Sequence, residues 1–425
     1  MTSNDIILYS YVIAWIIVFI KTYKKSHRLG IGVFIAAECI FCGICSIFVM
    51  HDSYSGWDKE ILSFFPMLVF FFFLYITSYP LIRFDRTKIE SIQQPTSKLL
   101  KIIAIAYIGL SMISLPSQIT DIIKNLPLII MEMGASDMYN DARDAYETIG
   151  TGSINLPVVL SGLLFHVGVL LAFYYLYLND SKNKVLVFFL FLSFIPALFS
   201  GMSSGQRGGM IQSILFLAGT YFLFRRFYND SLRKKIDRVC LVFIVFFGVV
   251  IGAMTISRFG EGSDNAGSSF FYYSGHQSLV FNKYAFDNNG IRYGDRTAPL
   301  IKVLMGCDNV PHNFVERRAK YPRLYVDDYY FISYVGDFFL DYGPFFAPII
   351  LLMLSFFMAR ATLVRKGRIL FHQLMLLEIL TYAIPIGIIK LFQYSEIRGN
   401  VSLLVDLMLS VLFYIDYSQR SKKVV

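Results

Sequence analysis

Charged side chains are scarce in this sequence. Asp, Glu, Lys and Arg make up only 16% of the 425 residues, whereas soluble domains carry roughly 25%. Hydrophobic residues supply 56% of the chain, and Phe alone contributes 41 residues. Because so little charge cannot cover a surface that faces water, the composition excludes a soluble protein and predicts an all-α polytopic membrane protein.

Several sequence signals are also absent. No G-x-x-x-x-G-K-[ST] run is present, which excludes a nucleotide-binding loop of that type. No convincing internal repeat is found, which disfavours the inverted-repeat architecture of many transporters. The first apolar run has no preceding basic region and no following small-residue cleavage site, so we expect a retained span. Cys307 is the only cysteine of residues 257–342, which excludes a disulfide within that segment.

Long apolar runs dominate what the sequence does contain. A helix needs ~20 apolar residues to cross a bilayer, and about eleven runs approach that length. The predicted spans are residues 6–20, 30–50, 62–82, 99–119, 155–178, 185–200, 209–224, 239–256, 343–359, 369–392 and 401–417. They predict a single integral membrane domain over residues 1–425.

Basic residues lie mainly on one side of the predicted spans. Lys and Arg are frequent in the linkers 21–28, 83–98 and 225–238, whereas the short loops on the other side hold few. Because basic loops stay in the cytoplasm, this pattern predicts an external amino terminus and a cytoplasmic carboxyl terminus.

Two longer segments are predicted to lie on the external side. Residues 120–154 begin with the amphipathic stretch DIIKNLPLIIMEM, which suits a membrane interface. Residues 257–342 form the largest polar region, and we expect re-entrant or interfacial helices within it. Its basic residues are Arg258, Lys283, Arg292, Arg296, Lys302, Arg317, Arg318, Lys320 and Arg323. These cations run against the charge bias of the external side and indicate an anionic ligand.

Two arginines are predicted to meet the same kind of anion at the external membrane surface. Arg207 lies in GMSSGQRGGM just before a span, and Arg258 follows a span in TISRFGEG. Glycines allow a ligand to approach the main chain closely, and a guanidinium offers a bidentate fork to phosphate oxygens. The pattern favours a lipid pyrophosphate as the ligand. The alternative is that both arginines reach lipid headgroups or tie loops together.

A second group of candidates follows in VPHNFVERRAKYPRLYVDDYY. Neutral imidazole accepts a proton near pH 7, so His312 is a candidate general base for a sugar hydroxyl. Arg317 and Arg318 extend the predicted phosphate site, and Tyr325 suits stacking on a sugar ring. His276 is a rival for the role of His312. An ordinary loop histidine remains the alternative for His312.

Three acidic residues lie inside predicted spans. They are Glu38, Glu378 and Asp406. Acids within a membrane are either functional or serve to tie helices together. In a transporter these three would be the first candidates for the substrate or ion pathway.

Three stretches of the chain resemble a known family. They are SSGQRGG before a span, P-H-N in the large external segment, and GDFFLDYGPFFAP, which contains Asp337 and leads into the next span. With these stretches the chain resembles the O-antigen and capsule repeat-unit polymerases of the Wzy type, and more distantly the O-antigen ligases. The layout of spans and enlarged external loops is similar over most of the chain.

This resemblance implies a GT-C-like, metal-independent glycosyltransferase without a cofactor, in the bacterial cytoplasmic membrane. Such an enzyme transfers a glycan chain from undecaprenyl pyrophosphate to the sugar of another lipid-linked repeat unit, with a chain-length regulator as a partner. By position, Arg207 and Arg258 would hold the pyrophosphate. His312 would activate the acceptor hydroxyl, and Asp337 would contact substrate.

Two other functions remain open at this stage. One is a glycosyltransferase that uses polyprenyl-phosphate sugars, for which the first external loop offers Asp52, Asp58 and Glu60. The other is a flippase or transporter for lipid-linked oligosaccharides, which the intramembrane acids would serve. None of the three readings involves nucleic acid.

Overall fold

The computed structural model describes residues 2–53, 55–130, 156–199, 208–259, 263–328 and 330–423, and these are almost entirely helical. In chain order the α-helices are α1 (Ser3–Ser26), α2 (Ile31–His51), α3 (Phe64–Arg86), α4 (Ser97–Ile130), α5 (Leu156–Leu163), α6 (Phe165–Leu178), α7 (Lys184–Leu192), α8 (Ile195–Leu198), α9 (Gly208–Phe224), α10 (Asp230–Phe259), α11 (Ser263–Tyr284), α12 (Pro299–Leu304), α13 (Phe314–Lys320), α14 (Ser333–Ala361), α15 (Phe371–Ile389) and α16 (Glu396–Lys423). Two short strands, β1 (Ser91–Gln93) and β2 (Arg368–Leu370), pair in parallel with Ser91 opposite Arg368.

Within the described ranges, nine helical segments are long and apolar enough to cross a membrane. They are Ser3–Ser26, Ile31–His51, Phe64–Arg86, Ser97–Pro116, Ser181–Leu198, Asp230–Met254, Ser333–Ala361, Phe371–Ile389 and Glu396–Arg420. The pair α5 and α6, bent by 55°, adds a tenth if it forms one span. These helices confirm an all-α polytopic membrane protein. The prediction of eleven spans differs at residues 209–224, because α9 has only 17 residues and falls below the usual spanning length of ~20.

The chain forms two compact units, each described here by itself. Unit 1 consists of Met1–Thr96 and Ser268–Val425, and unit 2 consists of Ser97–Gly267. Unit 2 therefore interrupts unit 1 in the sequence. Of the predicted pyrophosphate ligands, Arg258 belongs to unit 2, whereas the other candidate site residues of the described ranges belong to unit 1.

Helices α1, α2 and α3 pack closely in unit 1. A side chain at Gly43 of α2 would collide with Val12 of α1, so glycine permits the close approach that membrane helices often use. The first N–H groups of a helix have no partner within it. Here Asp85 of α3 accepts them, with Oδ2 at 2.7 Å from the N–H nitrogen of Gly32 and 3.2 Å from that of Val33. A buried carboxylate thus fixes the start of α2.

Helix α11 comes from the predicted external segment and packs against α2. The Ser46 hydroxyl lies 2.7 Å from the carbonyl oxygen of Gly275 and 2.8 Å from the Ser278 hydroxyl. The backbone of Cys45 leaves no room for a side chain at Gly275. The segment 257–342 therefore contains a helix that shares a tight interface with a candidate span.

Helix α14 is divided by a kink at Gly343. This glycine has φ +74° and ψ 171°, and Pro344 follows it. A positive φ suits glycine because it has no Cβ. Residues 333–342 are almost entirely buried, whereas the second part exposes large apolar side chains such as Phe345 and Phe346. The predicted span 343–359 matches this second part, and the first part belongs to the site described below.

Unit 2 has an apolar core of its own. Leu198, Met210, Phe247 and Met254 form a buried cluster, and Gly168 allows close contact with the ring of Tyr107. Helix α4 continues to residue 130, so the start of the predicted external segment 120–154 is helical. Residues 131–155 lie outside the described ranges.

Candidate functional site

Ten charged residues gather at one place in unit 1, and we refer to them as the charge cluster. They are Arg292, Asp295, Arg296, Lys302, Arg317, Lys320, Asp328, Asp337, Asp341 and Glu396. The cluster joins the chain between α11 and α14 to the first part of α14 and to the start of α16.

Arg292 lies at the centre of the charge cluster. Its Nε donates to Asp341 Oδ1 at 2.7 Å, Nη1 to Asp328 Oδ1 at 2.8 Å, and Nη2 to Asp337 Oδ1 at 3.2 Å. Asp337 and Asp341 are four residues apart in a helix, so both carboxylates lie on one face. Burial disfavours the charged guanidinium, but the three carboxylates outweigh it and raise the pKa of Arg292.

Arg317 links the cluster to the start of α16. Its Nε donates to Asp328 Oδ2, and its terminal nitrogens form a bidentate pair with Glu396 at 2.7 and 3.1 Å. Burial disfavours the charged form, but the hydrogen bonds to Glu396 and the charge of Asp328 raise the pKa of Arg317. Every guanidinium nitrogen of this predicted phosphate ligand thus has a protein partner.

Asp295 forms the second centre of the cluster. Its buried carboxylate accepts from Lys302, from Lys320 at 2.7 Å and from the Tyr321 hydroxyl at 2.7 Å. Burial raises the pKa of a carboxyl, but these three donors outweigh burial and lower the pKa of Asp295. The same donors keep the Asp295 carboxylate ionised at neutral pH.

The formal charges of the cluster cancel. The cations are Arg292, Arg296, Lys302, Arg317 and Lys320, and the anions are Asp295, Asp328, Asp337, Asp341 and Glu396. A buried ion pair contributes little net stability while intact, but losing one partner is costly because the other charge stays buried. The cluster therefore holds its segments in register.

Arg296 differs from the other arginines of the cluster. Its Nη1 lies 3.1 Å from Asp328 Oδ1 and 3.3 Å from Asp337 Oδ1. Nε is buried and has no hydrogen-bond partner among the described residues, and Nη2 donates to none of them either. Nε and Nη2 form the side-on fork with which arginine binds a carboxylate or a phosphate in bidentate geometry. The side chain is only 4% exposed, and of these two nitrogens it is Nε that is buried without a partner among the described residues.

Asp337 and Asp341 have additional donors besides arginine. Asp337 Oδ2 accepts from the Phe392 N–H at 2.7 Å. Asp341 Oδ2 accepts from the N–H and the hydroxyl of Thr297, each at 2.7 Å. Both oxygens of Asp337, a predicted substrate ligand, are therefore engaged by the protein itself.

The P-H-N stretch has a structural part and an accessible part. Asn313 caps α13 by accepting from the Glu316 N–H at 2.9 Å, and Glu316 Oε2 accepts from the His312 N–H at 2.8 Å. This reciprocal arrangement resembles a capping box, a common helix start. It accounts for the asparagine, whereas the side chain of His312 is exposed and accessible to an acceptor hydroxyl.

The remaining predicted residues of unit 1 have different settings. His276 is buried, stacks on Tyr272 with ring centroids 4.6 Å apart, and its Nδ1 lies 2.6 Å from the Tyr272 carbonyl oxygen. Tyr325 is 60% exposed, as stacking on a sugar requires. Arg318 pairs with Asp327 at 2.9 Å near the surface.

Two predicted ligands cannot be placed with their side chains. Arg207 lies outside the described ranges. Arg258 lies in α10, and the structure describes its backbone only. Their assignment as pyrophosphate ligands stays a prediction.

The acids of the membrane spans are deeply buried. Neither carboxylate oxygen of Glu38 has a hydrogen-bond partner among the described residues. Asp406 accepts from the Tyr394 hydroxyl at 3.0 Å, and Glu378 is fully buried. In the loop between α2 and α3, which the sequence predicts to be external, Glu60 pairs with Lys283 of α11.

Sequence reasoning missed the importance of Arg292 and Arg296, which it treated only as members of a basic segment. The spacing of Asp337 and Asp341, one helical turn apart before a span, was the available signal for a buried cation between them.

Comparison of the chain with protein-family models, curated protein sequences and solved structures gives no match.

Proposed function

We propose that the chain is a glycosyltransferase that polymerises lipid-linked oligosaccharide repeat units at the outer face of the bacterial cytoplasmic membrane. It would transfer a glycan chain from undecaprenyl pyrophosphate to the sugar of a second lipid-linked unit, without a metal ion. The amino terminus would lie outside and the carboxyl terminus in the cytoplasm. The buried Nε of Arg296, which has no hydrogen-bond partner among the described residues, is the observation that carries this proposal.

The proposed reaction needs two kinds of group from the protein. The acceptor hydroxyl attacks the anomeric carbon, the bond from that carbon to the pyrophosphate oxygen breaks, and a base takes the hydroxyl proton. Arg296 would stabilise the charge that develops on the departing pyrophosphate. His312, with its exposed imidazole, would accept the proton. Tyr325 would stack on a sugar of either substrate.

Arg296 suits the anion better than its neighbours do. Arg292 and Arg317 already use all their nitrogens on carboxylates of the protein. A phosphate could reach them only by displacing a buried carboxylate, which would leave that carboxylate unpaired. Arg296 can bind an oxyanion through Nε and Nη2 while Nη1 keeps its ion pairs with Asp328 and Asp337.

The matched variants Arg296→Lys and Arg323→Lys test this assignment. Lysine at 296 keeps the charge balance but has no planar fork, so chain elongation should fall by about 10²–10³-fold, as for the loss of an oxyanion donor. Arg323 is exposed in the same segment, and its variant should behave as wild type. The measurement is the ladder of products formed from lipid-linked repeat units by the purified chain in bilayer discs. A full ladder with Arg296→Lys would remove Arg296 from the site.

A deletion strain tests the reaction class itself. Loss of a polymerase should leave a surface glycan of one repeat unit, and chains of normal length would refute the proposal. Absence of every repeat unit from the surface would instead favour a lipid-linked oligosaccharide flippase. Glu38 is the observation that favours this second function, because an acid without a described partner inside a span suits a transport pathway.

A further inference from the structure

Helix α12 and the residue after it expose an unusual set of side chains. Ile301, Val303, Leu304 and Met305 are 57%, 44%, 75% and 75% exposed. They are consecutive except for one lysine and lie in the polar segment between α11 and α14. A short surface helix in water would normally turn such residues inward.

The one charged residue of α12 points the other way. Lys302 pairs with the fully buried Asp295, and its side chain is only 22% exposed. Pro299 is buried as well. Helix α12 is thus inverted relative to a helix at a water-exposed surface: its cation faces the protein and its apolar side chains face outward. This inversion is expected where the surroundings are less polar than the protein interior beside the helix.

The position of α12 indicates what those surroundings are. The Asn400 side chain accepts from the Leu300 N–H at 3.1 Å and donates to the Thr297 carbonyl at 3.0 Å, so α12 is fixed beside the first turn of α16. Helix α16 is a candidate span, and it exposes Leu404 and Met408. Leu404 lies one turn beyond Asn400, about 6 Å along the helix axis.

We propose that α12 and Met305 insert into the membrane interface and contact lipid acyl chains. The apolar surface of α12 then continues the lipid-facing surface of α16 at its first turns. Interfacial segments of this kind bury their apolar face ~5–10 Å into the headgroup boundary. The interaction anchors the charge cluster at a constant depth, since Lys302 belongs to both elements.

Spin labels on single cysteines test the proposal. The five native cysteines are first replaced by serine or alanine, and a nitroxide is attached at Leu304→Cys or Met305→Cys in the full-length chain in bilayer discs. Leu404→Cys supplies the lipid-exposed reference, and Tyr325→Cys, which lies in the same polar segment, supplies the water-exposed one. Collision with oxygen, which concentrates in lipid, is compared with collision with a water-soluble nickel chelate.

We expect labels at 304 and 305 to resemble the label at 404, with high oxygen and low nickel accessibility. Nickel accessibility equal to that at 325 would overturn the proposal, because α12 would then face water. Low accessibility to both reagents would also overturn it and would indicate a protein partner or a second copy. Elution of each variant as a single species shows that the chain is folded, and Ile301→Cys is a further position if either variant fails. The result is independent of the proposed glycosyltransferase activity.

Discussion

Replacement of Arg292 by methionine tests how the charge cluster stabilises unit 1. Arg292 is 2% exposed and contacts Asp328, Asp337 and Asp341 within 3.2 Å. Methionine removes one of five cations, so the cluster keeps four cations and five anions. Removing one partner of a buried ion pair costs about 3–5 kcal/mol. We therefore expect a marked loss of thermal stability for Arg292→Met.

A second variant separates charge imbalance from lost packing. Asp341→Asn alone leaves one cation in excess, whereas Arg292→Met combined with Asp341→Asn restores the balance. For residues in direct contact, the two effects should differ from additivity by ~0.5–3 kcal/mol, with the double variant more stable than the sum predicts. The assay is the temperature at which detergent-solubilised protein loses its monodisperse peak in size-exclusion chromatography. An additive double variant, or Arg292→Met with wild-type stability, would refute the reasoning.

Three further predictions follow from other contacts. The pKa of Asp295 is lower in the folded chain than its ordinary value of 3.8, so the ionised carboxylate stabilises the fold above that pH, and this contribution is lost as pH falls through the folded-state pKa. Asp295→Asn should therefore reduce the fall of melting temperature with decreasing pH. A melting temperature that falls as steeply as in the wild type would contradict this assignment. Gly275→Ala should lower thermal stability because the backbone of Cys45 occupies the space for a Cβ. The control is Gly109→Ala, whose Cβ would meet no atom within 4 Å and which should keep wild-type stability. Equal losses for the two variants would argue against the tight interface between α2 and α11. Asn313→Ala should cost about 0.5–2 kcal/mol through the lost helix cap, measured in the same melts, whereas Asn313→Asp should retain most of it.

The spans were predictable because a membrane-spanning helix needs only one local feature, an apolar run long enough to cross the bilayer. The kink at Gly343 was partly predictable, since the predicted span 343–359 begins at that residue. The continuation of the helix back to Ser333 was not, because residues 333–342 carry two aspartates that only a buried arginine makes tolerable. Local hydropathy cannot register a partner that lies more than forty residues away in the chain, as Arg292 does from Asp337.

The functional residues were less predictable than the spans for a related reason. Basic residues indicated an anion, but nine of them stood in one segment and the sequence could not tell satisfied guanidinium groups from vacant ones. Arg317 and Arg296 have the same chemistry. They differ in that Arg317 pairs with Glu396 and donates its Nε to Asp328, whereas Nε of Arg296 has no partner among the described residues. In the P-H-N stretch, likewise, the sequence could not show that Asn313 caps a helix whereas His312 exposes its imidazole.

The parallel pairing of Ser91–Gln93 with Arg368–Leu370 has a consequence for biosynthesis. The ribosome delivers the first strand long before the second, with all of unit 2 translated between them. The amino-terminal helices of unit 1 are therefore synthesised before their carboxyl-terminal partners and form an incomplete bundle, whereas unit 2 is continuous in the sequence and can fold first. Truncation after unit 2 would leave those helices without their carboxyl-terminal partners and expose them to quality-control proteases.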